Sequence, residues 1–231
     1  TIHNFKGSKK NKVEYLTSQQ LKLLFEAPDI GLKKGRRDRF LMILMYETGM
    51  RLNEILSLKL ENIISNGEDV EIKIFGKGSK YRTVPLLKPA IKHLNVYLKE
   101  FHPLNNQSDY LFYVNHSGRR DKLSPGTVDA FLKKYAHKIN ENNPDFPIDL
   151  HAHMLRHSVA MSMYKNGIPI SNVKDFLGLS DISTTSRYAY ADNEDIKKAL
   201  ETVKENIPSS NVKEKKWKGK EKDLLKYCGL E

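Results

Sequence analysis

Cysteine occurs once in the 231 residues, as Cys228, which excludes an internal disulfide framework and any cysteine-rich zinc site. No apolar run approaches the ~20 residues of a membrane-spanning helix. The basic start, TIHNFKGSKKNK, has no apolar segment behind it and is no secretory signal. A cytoplasmic protein without a membrane partner is therefore expected. The phosphate-cradling pattern GxxxxGK[ST] is missing, and so are internal repeats. Acidic residues are in short supply: 28 against 39 basic ones, a net charge of +11. Such an excess favours a polyanionic partner, because each neutralised phosphate releases condensed counterions. Hydrophobic residues still make up 39%, enough for a core, and the mean hydropathy is -0.57.

Residues 1–14 read as a basic linker, and Thr17 with Gln20 forms a capping-box pattern ahead of an apolar stripe of Leu21, Leu24 and Phe25. Pro28 and Gly31 close that helix, and LKKGRRDR reads as a basic loop. FLMILMY, residues 40–46, predicts a central buried helix ended by a left-handed Gly49. Leu52, Ile55 and Leu56 open the next helix, which leaves Arg51 in a tight corner. A guanidinium there needs a partner, because an unpaired buried charge is costly. Glu54, three residues on, is one such partner.

Val70, Ile72 and Ile74 alternate with charged residues as in a half-buried strand, and Tyr81–Pro85 returns after the glycine-rich turn GKGSK. The hairpin tip is expected to carry Lys77, Lys80 and Arg82. Pro89 starts a helix with Ile91, Leu94, Leu98 and Phe101 on one face. Tyr110–Val114 reads as a short strand, NHSGRRDK as a polar basic loop, and Ser124-Pro125 as a helix start. Ile196, Leu200, Val203 and Ile207 mark a last amphipathic helix, and residues 208–231 form a lysine-rich tail.

The stretch LHAHMLRHSVAMSMYKNGIPISNVKDFLGLSDISTTSRYAY collects His153, Arg156 and Tyr188. On a helix His153 and Arg156 share a face. Arg offers a planar fork that holds two phosphate oxygens, His moves a proton near neutral pH, and Tyr supplies a nucleophilic phenol. His151, His153 and His157 lack the carboxylate or cysteine set that would complete a metal site, so no metal is expected. His157 reads as a packing or supporting residue, and Tyr164 and Tyr190 as core or surface aromatics.

Taken in order, TGMRLNEILSL, GKGSKYRTVPL, HMLRHS and LGLSDISTTSRY resemble the tyrosine recombinase (phage integrase) family over about residues 15–205. The resemblance implies a mainly α fold with a small antiparallel β-sheet. It also implies site-specific cleavage and rejoining of double-stranded DNA through a 3′-phosphotyrosine, without metal, cofactor or ATP. Position by position it assigns catalysis to Arg51, Lys77, His153, Arg156 and Tyr188, with Glu54 orienting Arg51. Lys80 and Arg82 would position phosphates. Leu179 stands where the family usually has His or Trp: a slower enzyme lacking one donor, or a packing residue, are the two readings. A tetramer on DNA is expected, with a DNA-cleaving domain over 15–207, either a fragment or a shortened protein. A type IB topoisomerase, or a DNA-binding homologue impaired in catalysis, are the alternatives.

Overall fold

A computed structural model describes residues 14–75 and 81–179, all within one compact unit. Thr17 caps the first helix, α1 (Ser18–Glu26): its hydroxyl accepts the Gln20 N–H, and the Gln20 side chain accepts the Thr17 N–H in return. The capping box thus forms as the sequence predicts.

Helix α2 (Lys33–Thr48) begins earlier than expected, so the stretch LKKGRRDR is not a loop. Two turns of basic residues extend the apolar run backwards, and Arg36 is paired with Glu100 by a two-pronged salt bridge at 2.6 and 2.7 Å. Within the run, Phe40, Leu41, Met42, Leu44 and Met45 are all but inaccessible. The helix packs against α1, α4 and α6, which makes it the central element. Gly49 ends it with φ +56°, the left-handed conformation that glycine adopts without a Cβ penalty.

Helix α3 (Leu52–Leu56) follows at once, then a 3₁₀ turn at Leu60–Asn62. A three-stranded antiparallel sheet is built from β1 (Ile63–Asn66), β2 (Asp69–Phe75) and β3 (Tyr81–Pro85), in the order β1-β2-β3. β1 was not anticipated, although the Asn66-Gly67 dipeptide is a hairpin signal. Val70, Ile72 and Ile74 turn inward, as the alternation requires.

Helix α4 (Lys88–Phe101) buries Ala90, Leu94, Tyr97 and Phe101. The segment NHSGRRDK is a second hairpin rather than a loop: β4 (Tyr113–His116) pairs with β5 (Arg119–Lys122). Its two-residue turn, Ser117-Gly118, has positive φ at both positions, as a type I′ turn demands. Three helices complete the described chain: α5 (Pro125–Asn140), capped by Ser124, then α6 (Ala152–Lys165) and α7 (Ile170–Leu177). The architecture is mainly α with small antiparallel sheets, as expected. The expected helix around residues 196–207 and the tail from 208 lie outside the described residues.

Candidate active site

The site begins with a corner. Between the left-handed Gly49 and the first turn of α3 the chain reverses at Met50 and Arg51, and Arg51 becomes the residue preceding that helix. Glu54, in the first turn, accepts the Arg51 backbone N–H at 2.9 Å and the Arg51 Nη1 at 3.0 Å. The salt bridge read from the sequence is therefore present. It occupies only one edge of Arg51, whose side chain is 43% exposed. The guanidinium also donates from Nη2 to the Gly178 carbonyl at 3.4 Å.

Arg156 reaches the same place from α6. It is 5% exposed, and its fork donates to two backbone carbonyls, from Nη1 to Gly49 and from Nη2 to Leu177 at 2.8 Å. Both acceptors close helices: Gly49 caps α2 and Leu177 is the last residue of α7. Carbonyls there have no partner within the helix and carry the negative end of its dipole, so a buried cation is stabilised. Arg51 and Arg156, 105 positions apart in sequence, thus converge on two consecutive peptide groups.

His153 lies one turn before Arg156 at the start of α6, exposed on the helix surface. His151 caps the helix, its Nδ1 accepting the Met154 N–H at 3.3 Å. Desolvation, then the positive surroundings of His151, Arg156 and Arg51, hold the His153 imidazole below its ordinary pKa. It is neutral near pH 7 and able to accept a proton. His157 stands beside it, ring centroids 6.3 Å apart. Among the described residues no group of three or more His, Cys, Asp or Glu could hold a metal ion.

Glu54 is itself shared. Burial raises its pKa, but Arg82, the Arg51 N–H and the Arg51 side chain outweigh that and bring it below the usual carboxylate range. Arg82 donates from Nη2 to Glu54 at 2.9 Å. The expectation that Arg82 sits at the hairpin tip is corrected here. It is the second residue of β3, opposite Ile74, and its side chain is 19% exposed. Period-2 alternation aims it inward, away from where the tip lysines were expected.

Leu179 follows the left-handed Gly178 that ends α7, and its N–H donates back to Lys174 at 3.1 Å. Its side chain packs against the apolar cluster formed by Ala160, Met161, Val173 and Leu177. That apolar contact just past a helix end is the usual companion of such a cap. Lys77, Lys80 and Tyr188 lie outside the described residues. Two described tyrosines are poor nucleophile candidates: burial pushes the Tyr97 and Tyr135 phenols up, and they donate to Leu111 and Asp38.

What sequence reasoning missed is the backbone. The carbonyls of Gly49, Leu177 and Gly178 hold both arginines, and no side-chain motif records a carbonyl. The glycines themselves were the available signal, since each marks a helix end where carbonyls are left without partners.

A mainly α domain carrying two converging arginines and an adjacent histidine defines a class. The chain belongs to the phage integrase family, whose model matches residues 14–195. Among its relatives is tyrosine recombinase XerD of Staphylococcus epidermidis, 36% identical over 177 residues, covering 76% of this chain and 57% of the relative. Tyrosine recombinase XerA of Pyrococcus furiosus is 34% identical over 186 residues, covering 80% of this chain and 60% of the relative. The chain therefore spans little more than half the length of the relatives it matches. Among solved structures, XerH site-specific recombinase bound to palindromic difH substrate in a post-cleavage complex superposes with a TM-score of 0.66. It is 29% identical and covers 84% of this chain and 54% of that one. The catalytic domain of bacteriophage HP1 integrase, 20% identical, shares the fold at a TM-score of 0.50, with 98% of that domain covered.

Proposed function

We propose that this chain is the DNA-cleaving and rejoining part of a site-specific recombinase acting on double-stranded DNA. The observation that carries the reading is the meeting of Arg51 and Arg156 at Leu177 and Gly178, beside a histidine held neutral. Two guanidiniums so placed suit the non-bridging oxygens of one phosphodiester and the charge that builds there in the transition state.

In this reading the Tyr188 oxygen attacks phosphorus in line. The P–O5′ bond breaks as the P–O bond to tyrosine forms, leaving a 3′-phosphotyrosine. His153 takes the phenol proton and Lys77 gives one to the departing 5′ oxygen. One phosphate ester replaces another, so no nucleotide hydrolysis is needed. A 5′-hydroxyl from a second strand reverses the sequence and completes strand exchange. Glu54 steadies Arg51, and Lys80 contacts the backbone near the cut. A tetramer on paired DNA sites is the assembly that exchange of two duplexes requires.

The test starts by selecting a recognition site from a pool of randomised duplexes. A nicked duplex bearing that site is incubated with the protein and resolved on a denaturing gel. A covalent adduct is expected from the parent and none from Tyr188→Phe, with DNA affinity nearly unchanged. An adduct from the Phe variant would remove Tyr188 from its role, and none from the parent would sink the reading.

A further inference from the structure

Arg82 has no part in the chemistry just described, yet it is built into the same corner. Glu54 accepts from four donors: the Arg51 N–H and Nη1, and the Arg82 Nη2 at 2.9 Å and Nη1 at 3.5 Å. The Arg82 Nε is buried and has no hydrogen-bond partner among the described residues. A Cβ on Gly178 would come within 2.8 Å of the Arg82 Nη1 and 3.0 Å of its Cζ. Arg82 therefore touches two partners at once: the carboxylate that holds Arg51, and the peptide whose carbonyl Arg51 also uses. β3, α3 and the end of α7 meet at this one guanidinium.

The charges decide what this does. Were Glu54 to face Arg51 alone, the two would form a closed, neutral pair with little pull on a phosphate. With Arg82 present, two cations share one anion, and the trio keeps a net positive charge. Arg82 and Glu54 are 19% and 13% exposed, so water screens that charge weakly, while Arg51 at 43% is the member open to solvent. We propose that Arg82 is a positioning residue, which draws on Glu54 so that Arg51 keeps its charge for a phosphate and ties the inner face of β3 to the end of α7. The role rests on the recombinase reading. It differs from the expected phosphate-positioning role, since Arg82 faces Glu54 from the inner side of β3.

The acidity of Glu54 reports the arrangement directly. Among the described residues the charged groups acting on it are Arg82 and Arg51, and burial opposes both. Without Arg82 burial regains ground, and the carboxyl titrates at higher pH. Carbon-13 NMR of the Glu54 carboxyl in the free protein, assigned through Glu54→Gln, needs no DNA. The midpoint should move up in Arg82→Gln and in Gly178→Ala, whose new methyl displaces the guanidinium. It should stay near the parent value in Arg82→Lys. An unmoved midpoint in Arg82→Gln, with the fold verified by thermal melting, would overturn the proposal.

The second readout is single-turnover adduct formation on the selected nicked duplex. Arg82→Gln should slow it about tenfold or more with DNA affinity within about threefold, and Arg82→Lys should recover part of the loss. In a Glu54→Gln background the same change should add less than about twofold, because Arg82 then has nothing to act through. Full additivity of the two losses would overturn the role. If the parent forms no adduct at all, the recombinase reading fails, while the carboxyl titration still decides whether Arg82 governs Glu54.

Discussion

Leu179 is where the sequence left two readings open, a lost donor or a packing residue. Its place against the apolar cluster of Ala160, Met161, Val173 and Leu177 favours packing. The N–H that closes α7 comes from its own backbone, so the side chain is free to be chosen for apolar fit. Leu179→Ala should lower stability by roughly 1–2 kcal/mol, below the range for fully buried leucines, and slow cleavage. Leu179→His should be slower as well. A faster single-turnover rate for His alone would restore the missing-donor account. For His153 the sign follows from its surroundings. Desolvation and the neighbouring positive charges keep it neutral, so its folded-state pKa lies below the ordinary value of about 6.5. In its proposed role as acceptor of the tyrosine proton it should keep the cleavage rate level as pH falls from 7.5 to about 6.5. The rate should drop only below that. His153→Gln should be slow throughout with the limb absent. A midpoint above about 6.5 in the parent would contradict the assignment.

Helix ends, more than helices, build this site. Gly49 lets α2 stop in a left-handed turn and frees its carbonyl for Arg156. The same residue admits α7 at close range: a Cβ there would lie 2.8 Å from Leu177 Cδ2 and 2.9 Å from Phe176 Cε1. Gly49→Ala therefore combines left-handed strain with overlap against a packed helix. Together these should cost about 2–4 kcal/mol. Urea melts should show a lower midpoint with an unchanged slope. A loss under about 0.5 kcal/mol would mean that α7 does not sit as closely as described. The hairpin obeys a different logic, because alternation alone sends Arg82 to the inner face with Val84. Motif order placed it correctly in sequence, and the strand period turned its side chain to the inner face, at the second strand pair from the connecting segment.

Across the molecule, residues 49–54, 82, 153–156 and 177–179 meet although the chain wraps a whole core between them. Phe40, Tyr97 and Phe112 pack with tilted rings within that core, and α2 runs through its middle. The net charge of +11 suits a phosphate-rich partner, yet the charges nearest the candidate chemistry are held by Glu54 and by helix-end carbonyls. Position, not number, is what distinguishes them from the other basic residues.

Local patterns were sufficient for many of the elements, though not for the start of α2, for β1 or for the β4–β5 hairpin. The capping box at Thr17, the apolar run of α2, the alternation of β2 and the breaks at Gly49 and Gly178 each act within a few residues, and each reappears in the structure. The order of the four motifs identified the family in the same way. Tertiary structure alone decided which carbonyls hold Arg51 and Arg156, that Glu54 serves two arginines, and that Arg82 is half-buried beside Gly178. A carbonyl carries no residue identity, and a shared carboxylate depends on distances between segments that are far apart along the chain.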